Sequence, residues 1–482
     1  MSSNWSVKKL GDLVTFLSGG TPSKSNKNYW NGEIPWISAS SMQSTRYHDS
    51  DLRVTSLGST NGTRLVPAGT VLLLVRGGAL HNKIPVGITT REVTFNQDVK
   101  ALVPKSEDIT PYYLLAWLIS SRELLLGKVE NTGIGAGKLD TKILQDLDVP
   151  VPPKAELLRL ELFSKALDDK IILNQNISQT LEQMAQTLFK SWFVDFEPVK
   201  AKISVLEAGG SQEDATLAAM TAISGKGADE LAVFEREHLE QYAELQATAE
   251  LFPSAMQDSK GKDTPEGWAV VKTEELVSKI GMGPFGSNIK VSTFVDEGIP
   301  VISGQHLKES ILNDGENNFV TLEHADKLKS SNVFSEDIIF THAGSIGQVS
   351  IIPEFSEYDR YVISQRQFFL RTDKKITSPY YLLYFFRSRI GQHLLLSNAS
   401  QVGVPSIARP SSHLKNIELV APDFKLVKKF EEHCRTIING VVQRKKQTAL
   451  LKNIRDTLLP KLLSGEITPP EAEQAVSEAE NV

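Results

Sequence analysis

The chain has 482 residues, of which 40% are hydrophobic and 23% are charged, and its formal net charge is -6. This composition excludes a mainly disordered chain, and the length predicts about three structural units of roughly 150 residues each. The single cysteine, Cys434, excludes an intrachain disulfide and a cysteine-based zinc site. The first residues lack the basic and apolar blocks of a signal peptide, and no apolar run approaches a membrane span, so we expect a cytoplasmic protein.

Residues 1–153 are predicted to form a globular unit of mixed α+β structure. Short apolar and β-branched runs, such as residues 69–75, alternate with loops rich in Gly, Ser and Asn, which is typical of strands. After Pro111 the apolar spacing changes to that of a helix with one buried face. Proline suits the first turn of that helix because its missing N–H would have no intrahelical partner there.

Residues 154–196 are predicted to form a long helix. No Gly or Pro interrupts residues 155–194, and the seam follows alternating steps of three and four residues: Leu160, Phe163, Leu167, Lys170, Asn174, Ile177, Leu181, Met184 and Leu188. This spacing is the heptad pattern of a coiled coil. A helix of that length would extend about 60 Å.

Residues 197–267 are predicted to be an acidic linker. The segment carries 14 acidic and 6 basic side chains and is interrupted by Gly209-Gly210 and Gly225. Its composition predicts a solvated connection with a short helix near residues 230–250.

Residues 268–423 are predicted to be a second copy of the first globular unit. Pro35 and its neighbours recur around Pro300 at an offset of 265 residues, whereas Pro111-Tyr-Tyr-Leu-Leu115 and Asn96-Gln97 recur at an offset of 268. Because several matches keep their order and nearly their spacing, we interpret them as an internal duplication.

Residues 424–465 are predicted to form a second long helix of heptad spacing, followed by an acidic tail at residues 466–482. The helix carries 10 basic and 3 acidic side chains, and the tail carries 5 acidic side chains and no basic ones. Two such helices would pair as an antiparallel coiled coil, with the two globular copies related by a pseudo-twofold axis. The net charge alone argues against DNA, but the chain outside the two acidic segments carries a surplus of +7.

Known catalytic and metal-binding motifs are not found in the sequence. The histidines form no His-Glu-x-x-His motif, and the glycine-rich segment that ends at Lys138 lacks the Gly-Lys-Ser/Thr ending of a phosphate-binding loop. No Asn/Asp-Pro-Pro-aromatic tetrapeptide of an adenine methyltransferase is present. We therefore expect a protein that binds and positions other molecules and has neither a catalytic residue nor a metal site of its own.

Polar loops at corresponding places in the two copies are candidates for DNA binding. Arg, Lys, Asn and Gln can hydrogen-bond to base edges, while Ser, Thr and backbone N–H groups suit phosphates. The candidates are Thr21, Ser23, Lys24, Lys27, Tyr29, Arg76, Lys83 and Lys138 in the first copy, and Ser287, Asn288, Lys290, His342, Ser345 and Arg409 in the second. Composition leaves open the alternative that these are ordinary solvated loops.

The whole chain resembles the specificity subunit of a type I restriction-modification system. The resemblance rests on the motifs at residues 5–13 and 95–98, on Val149-Pro-Val-Pro-Pro153, on the ends of the linker at residues 251–253 and 265–268, and most strongly on Leu188-Phe-Lys-Ser-Trp-Phe-Val-Asp-Phe196 and Leu458-Leu-Pro-Lys-Leu-Leu-Ser-Gly-Glu-Ile467. The chain departs from the family pattern at residues 154–156 and 422–424, where the long helices begin.

This resemblance implies that each globular copy is a target-recognition domain for one half of a bipartite DNA sequence. The paired helices would set the spacer and bind two modification subunits, which carry S-adenosylmethionine and methylate adenine. A restriction subunit would add ATP- and Mg-dependent cleavage, and no cofactor would bind to this chain. Candidate subunit contacts lie at the ends of the two helices: Trp192, Phe193, Phe196, Leu458, Leu459, Leu462 and Leu463. Their alternative role is in the chain's own core.

Two other functions stay open at this point. One is a coiled-coil scaffold that binds only proteins, and the other is a stand-alone DNA enzyme with an unrecognised active site.

Overall fold

The computed structural model describes residues 5–131, 135–286, 288–315, 317–400 and 403–480. The chain divides into two compact units. Unit 1 consists of Met1–Gln175 with Lys445–Val482, and unit 2 consists of Asn176–Arg444. Each long helix thus contributes to both units. Among the described residues, no helix is long and apolar enough to cross a membrane.

Unit 1 contains two main sheets and a set of short helices. Its strands are β1 (Ser6–Lys9), β2 (Val14–Ser18), β3 (Trp30–Ile37), β4 (Arg46–Tyr47), β5 (Arg53–Val54), β6 (Arg64–Val66), β7 (Val71–Leu74), β8 (Arg76–Gly77), β9 (Val86–Thr89), β10 (Val93–Phe95), β11 (Val99–Pro104), β12 (Glu130–Asn131), β13 (Gly137–Lys138) and β14 (Asp148–Val151). Its first helices are α1 (Leu10–Leu13), α2 (Ser56–Ser59), α3 (Pro111–Ser120), α4 (Arg122–Leu126) and α5 (Thr141–Gln145). The first long helix, α6, spans Lys154–Phe193.

The sheets of unit 1 enclose one hydrophobic core. Five strands have the order β2-β11-β7-β9-β4, and four have the order β5-β3-β10-β6. All side chains of β7 and β9 are buried, as expected for strands covered on both faces. Helix α3 begins at Pro111, as predicted, and the Thr110 hydroxyl caps it by accepting a hydrogen bond from the Tyr113 N–H.

Unit 2 begins within α6 and continues through a helical segment into a second sheet domain. The helices of the segment are α7 (Glu197–Glu207), α8 (Gln212–Ser224), α9 (Ala228–Glu237) and α10 (Leu239–Glu250). The strands that follow are β15 (Met256–Ser259), β16 (Lys262–Pro265), β17 (Ala269–Lys272), β18 (Val277–Met282), β19 (Ile299–Ile302), β20 (Asn318–Val320), β21 (Asn332–Val333), β22 (Ile338–Thr341), β23 (Val349–Ile351), β24 (Tyr361–Ile363), β25 (Gln367–Thr372), β26 (Ala399–Ser400), β27 (Ser406–Ile407) and β28 (Glu418–Ala421). The remaining helices are α11 (Leu322–Lys327), α12 (Pro379–Arg387), α13 (Arg389–Leu396), α14 (Pro410–Asn416) and the long α15 (Phe424–Leu463).

The predicted duplication is confirmed by strand register. In unit 1, β3 and β10 pair in parallel with Trp36 opposite Thr94, and in unit 2, β19 and β24 pair in parallel with Val301 opposite Val362. These pairs differ by the same two offsets, 265 and 268, that the sequence motifs show. The two copies therefore share one sheet topology.

The two long helices begin at the predicted residues but end at Phe193 and Leu463, before the predicted residues 196 and 465, and within each unit they run antiparallel. In unit 1 the Asn174 amide donates to the Gln447 amide oxygen at 3.0 Å, while Leu160 and Leu462 line one pocket. In unit 2 the rings of Phe189 and Phe430 lie 5.8 Å apart. Both helices carry hydrophobic side chains into the cores of the units.

About half of the positions predicted for the heptad seam of α6 are not buried. Leu160, Leu167 and Asn174 are buried, but Met184 is 54% exposed. The positions that are buried in place of Lys170, Ile177 and Met184 are Ile171, Ser178 and Ala185. Ser178 and Ala185 are small residues, and the hydrophobicity of a small residue does not indicate whether its position is buried or exposed.

The prediction of a mainly solvated linker at residues 197–267 is wrong, because the segment folds into four helices and a β-hairpin. Ala219, Met220, Leu231 and Ala249 form a small core of their own. Lys202, only 1% exposed, donates a hydrogen bond to the Phe252 carbonyl at 2.7 Å, and burial lowers the pKa of its ammonium group. The predicted helix near residues 230–250 is two helices, α9 and α10, which are separated at His238.

The predicted solvated tail also contains a helix, α16 (Pro469–Glu480), which belongs to unit 1. Ala472 in this helix is fully buried against the core of unit 1. Because the alanine side chain is small, the hydrophobicity pattern did not predict this contact.

Candidate nucleic-acid interface

In unit 1, four loops meet at one end of the five-stranded sheet. We call this surface edge 1; it consists of residues 18–21, 75–77, 96–98 and 135–138. The Gly20 N–H donates to the Phe95 carbonyl at 2.9 Å, and the Thr21 hydroxyl donates to the Gln97 side-chain oxygen at 2.7 Å. The first loop is thereby fixed against the turn between β10 and β11.

The other two loops of edge 1 are joined by strand pairing. Arg76 in β8 lies opposite Lys138 in β13, and the Val75 N–H donates to the Asp98 carbonyl at 2.8 Å. The Lys138 ammonium pairs with Asp140 at 2.9 Å, and its hydrogen bond lowers the pKa of that carboxyl group. Arg76 is exposed. Edge 1 thus presents a guanidinium group, an ammonium group and an amide on one surface.

Edge 2 is the equivalent surface of unit 2, formed by residues 283, 342–344, 364–366 and 405–407. The His342 N–H donates to the Arg366 carbonyl and the Gly344 N–H to the Pro405 carbonyl, both at 2.9 Å. Burial lowers the pKa of His342, so its ring is neutral at neutral pH, and its Nε2 lies 3.1 Å from the Gln365 carbonyl. Nε2 therefore carries the proton and donates it to that oxygen.

The structure brings only some of the predicted candidates together. Thr21, Arg76 and Lys138 lie at edge 1, and His342 lies at edge 2. Other candidates occupy exposed or partly exposed positions in adjoining loops: Ser23, Lys24, Lys27, Tyr29, Asn288, Lys290, Ser345 and Arg409. Ser287 lies outside the described residues. Lys83 lies instead in a pocket that also contains residues of α15.

Two glutamines and an arginine were missed as candidates. Gln97, Gln365 and Arg366 are exposed at the turns that lead into β11 and β25. The repeat contained the signal, since Asn96-Gln97 and Ser364-Gln365 correspond at an offset of 268 residues. An exposed amide at the same turn in both copies can make paired hydrogen bonds to a base edge.

The predicted subunit contacts lie mostly inside the chain, which is the alternative that the sequence left open. Trp192 and Leu462 are fully buried, and Phe193, Leu459 and Leu463 are at most 5% exposed. Phe196 and Leu458 are partly buried. Most of these side chains therefore offer almost no surface to another protein.

Within the described residues, no group of three or more His, Cys, Asp or Glu side chains could hold a metal ion. The chemistry at the two edges is that of hydrogen-bond donors, acceptors and positive charge.

The chain matches the family described as the type I restriction modification DNA specificity domain, over residues 2–183 and 265–440. It is 29% identical over 372 residues to the type I restriction enzyme HindI specificity subunit of Haemophilus influenzae, with 76% of this chain and 79% of that protein covered. It is 24% identical to the MjaIX specificity subunit of Methanocaldococcus jannaschii, with 96% of this chain and 94% of that protein covered. A crystal structure of an S subunit from M. genitalium aligns over 95% of this chain and 96% of its own, with a TM-score of 0.44 and 14% identity.

Proposed function

The chain belongs to the family of type I restriction-modification DNA specificity domains, and on that premise we propose that it is the specificity subunit of such a system, with each edge contacting one half of a bipartite DNA target. The main observation that supports this proposal is the duplication of the globular unit. Edge 1 and edge 2 share equivalent backbone hydrogen bonds around Val75 and His342, but the side chains that they present differ. Two similar surfaces with different chemistry suit two different half-sites.

We further propose that catalysis belongs to partner subunits. Two modification subunits would bind S-adenosylmethionine and methylate adenine, and a restriction subunit would supply ATP- and Mg-dependent cleavage in the cytoplasm. This chain would select the sequence, and the antiparallel pairing of α6 and α15 would hold the length of the unread spacer. The matched family and the specificity subunits among its relatives support this assignment.

The test is to exchange one recognition surface. Residues 10–150 are replaced by the equivalent segment of another family member, and methylated adenines are mapped in DNA modified by the assembled complex. We expect one half of the methylated sequence to change while the other half stays. The reciprocal exchange of residues 272–418 is the matched control and should change only the other half. Changes in both halves, or in neither, would refute the two-surface proposal.

The spacer function has a separate test. Inserting one heptad into α6 together with one heptad into α15 keeps the two helices paired. It moves the two ends of the helical pair about 10 Å further apart. We expect the methylated half-sites to move apart by about three base pairs, at about 3.4 Å per base pair. An unchanged spacer would exclude the helices as its determinant.

A further inference from the structure

A polar pocket of about 200 Å³ lies beside edge 1 in unit 1. Its lining includes four cationic side chains, Lys83, Arg122, Lys452 and Arg455, and two carboxylates, Asp168 and Asp456. None of these six side chains belongs to edge 1.

Both carboxylates of the pocket are already paired. Asp168 forms an ion pair with Arg46 and accepts a hydrogen bond from the Thr45 hydroxyl at 2.7 Å, and Asp456 pairs with Arg455 at 2.8 Å. Among the described residues, Lys83, Arg122 and Lys452 have no carboxylate within ion-pair distance. The lining of the pocket therefore carries more positive than negative charge.

Lys452 lies close to two other cations of the pocket, while Lys83 donates a hydrogen bond to the Gln43 side-chain oxygen at 3.4 Å. Desolvation, and then the charge of Arg455, lower the pKa of the Lys452 ammonium group; Asp456 opposes this shift, and Arg122 adds to it. The Arg122 Nε is buried and has no hydrogen-bond partner in the described part of the chain. A buried donor without a partner is costly, and an oxyanion would satisfy it together with the lysines.

Unit 2 has a pocket at the equivalent place, with a volume of about 320 Å³. Leu307 and Lys308 occupy the positions of Met42 and Gln43 in unit 1, at the offset of 265 residues, and both pockets include the residues just before the strand that pairs with β7 or β22. Arg387 lines this pocket from α12, and its Nε is again buried without a hydrogen-bond partner among the described residues. Each unit thus places an arginine with a free Nε and a lysine at this site, although the residues come from different positions.

The pocket of unit 1 lies at the same end of the sheet as edge 1. The Leu74 N–H at the end of β7 donates to the Pro85 carbonyl, which lines the pocket just before β9. Since the sheet order is β2-β11-β7-β9-β4 and strands are about 4.8 Å apart, the start of β4 lies about 14 Å from β11. That distance corresponds to about four base pairs of duplex.

We propose that each unit contains a phosphate-binding pocket beside its edge, with Lys83, Arg122 and Lys452 in unit 1 and Lys308 and Arg387 in unit 2, and that the ligand is a phosphodiester group of the bound DNA. The proposal rests on the proposed function, because it supplies sequence-independent contacts that hold the duplex while the edges contact bases.

The test measures how DNA affinity depends on salt. The assembled complex carrying Lys83→Gln and Lys452→Gln is titrated with a duplex of unrelated sequence over a range of salt concentrations. The slope of log K against log salt should become shallower by about 0.9 for each phosphate that the variant no longer neutralises. The methylated sequence should stay unchanged, because the lysines contact no base. Lys308→Gln should have the same kind of effect from unit 2.

Lys461→Gln is the matched control, since Lys461 is an exposed lysine on α15, nine residues beyond Lys452. It should leave the slope unchanged. A change in slope for Lys461→Gln as large as the double variant's change per lysine removed would show a general charge effect and overturn the pocket proposal.

Two further outcomes would also overturn it. Inorganic phosphate that raises the melting temperature of the wild-type complex but not of the double variant, with identical salt slopes, would assign the pocket to a free anion. Dissociation of a partner subunit from the double variant, with unchanged slopes, would assign it to a carboxylate of that partner. Failure of the wild-type complex to bind any duplex would instead refute the proposed function itself.

Discussion

Edge 1 and edge 2 share backbone hydrogen bonds at two of their loops but differ in where they place charge. The Leu139 N–H donates to the Val75 carbonyl in unit 1, and the Ile407 N–H donates to the His342 carbonyl in unit 2, both at 2.8 Å. Arg76 and Lys138 face each other in unit 1, whereas Ala343 and Ser406 form the equivalent bridge in unit 2.

Positive charge in unit 2 is found instead at Arg366, which takes the position of Asp98. The comparison shows how one scaffold can present two different surfaces. Backbone pairing fixes the positions of the loops, and side chains can then change while that pairing is kept.

The scaffolds themselves differ in their buried ion pairs, among them the pair of Asp337 with Arg371 in unit 2. In unit 2 the Arg371 guanidinium group donates two hydrogen bonds to Asp337, at 2.7 and 2.6 Å, and Asp337 is 1% exposed. Thr70 and Val103 occupy the equivalent positions of unit 1. Unit 2 alone should therefore be sensitive to removal of this carboxylate.

The largest effect is expected for Asp337→Ala. Removing the carboxylate leaves Arg371 and the Phe334 N–H without their partner and should lower the free energy of unfolding of unit 2 by about 2–4 kcal/mol. Hydrogen exchange of unit 2 amides measures the destabilisation, while amides of unit 1 should keep their protection. Asp326→Ala is the control, because Asp326 pairs with Arg360 but is half exposed; it should cost less than about 1 kcal/mol. Equal destabilisation by the two variants would contradict the assignment.

A smaller and equal effect in the two units is expected for Tyr113→Phe and Tyr381→Phe. The Tyr113 hydroxyl donates to the Pro150 carbonyl, and the Tyr381 hydroxyl donates to the Val420 carbonyl. Each variant should destabilise its own unit by about 1–2 kcal/mol, because it leaves a partly buried carbonyl without this donor. Denaturant unfolding followed by hydrogen exchange separates the two units. Tyr242→Phe, at a half-buried site in α10, should change stability by less than about 0.5 kcal/mol. Clearly unequal effects at Tyr113 and Tyr381 would show that these equivalent hydrogen bonds contribute differently to the stability of the two units.

The smallest effect is a pH dependence that distinguishes edge 2. Since burial lowers the pKa of His342, the native state binds a proton less readily than the unfolded chain does. This group's contribution to the stability of unit 2 should therefore fall, by less than about 1 kcal/mol, as the pH drops below about 6.5. Val75 takes the equivalent place in unit 1 and does not titrate. Unfolding curves between pH 5 and 8 should lose this slope in His342→Gln, and an undiminished slope would assign it to another group.

The parts of this protein that depend on local pattern were predictable from the amino-acid sequence. The offsets of 265 and 268 residues predicted the two copies, and the heptad spacing predicted both long helices. The helix period and each repeated motif can be recognised within a short segment of the sequence, without knowledge of the fold.

Contacts between residues that are far apart in the chain became known only from the fold. Arg76 and Lys138 are 62 positions apart and became neighbours through the pairing of β8 with β13. Lys83 was predicted to be one of the DNA-binding loop residues. In the fold it lies just before β9, in the same pocket as Lys452. Small residues such as Ala185 and Ala472 are buried because a neighbouring element approaches closely, which their own hydrophobicity does not reveal. Strand pairing and helix contacts over such distances depend on the whole fold, whereas the pattern of one segment records only its own period and polarity.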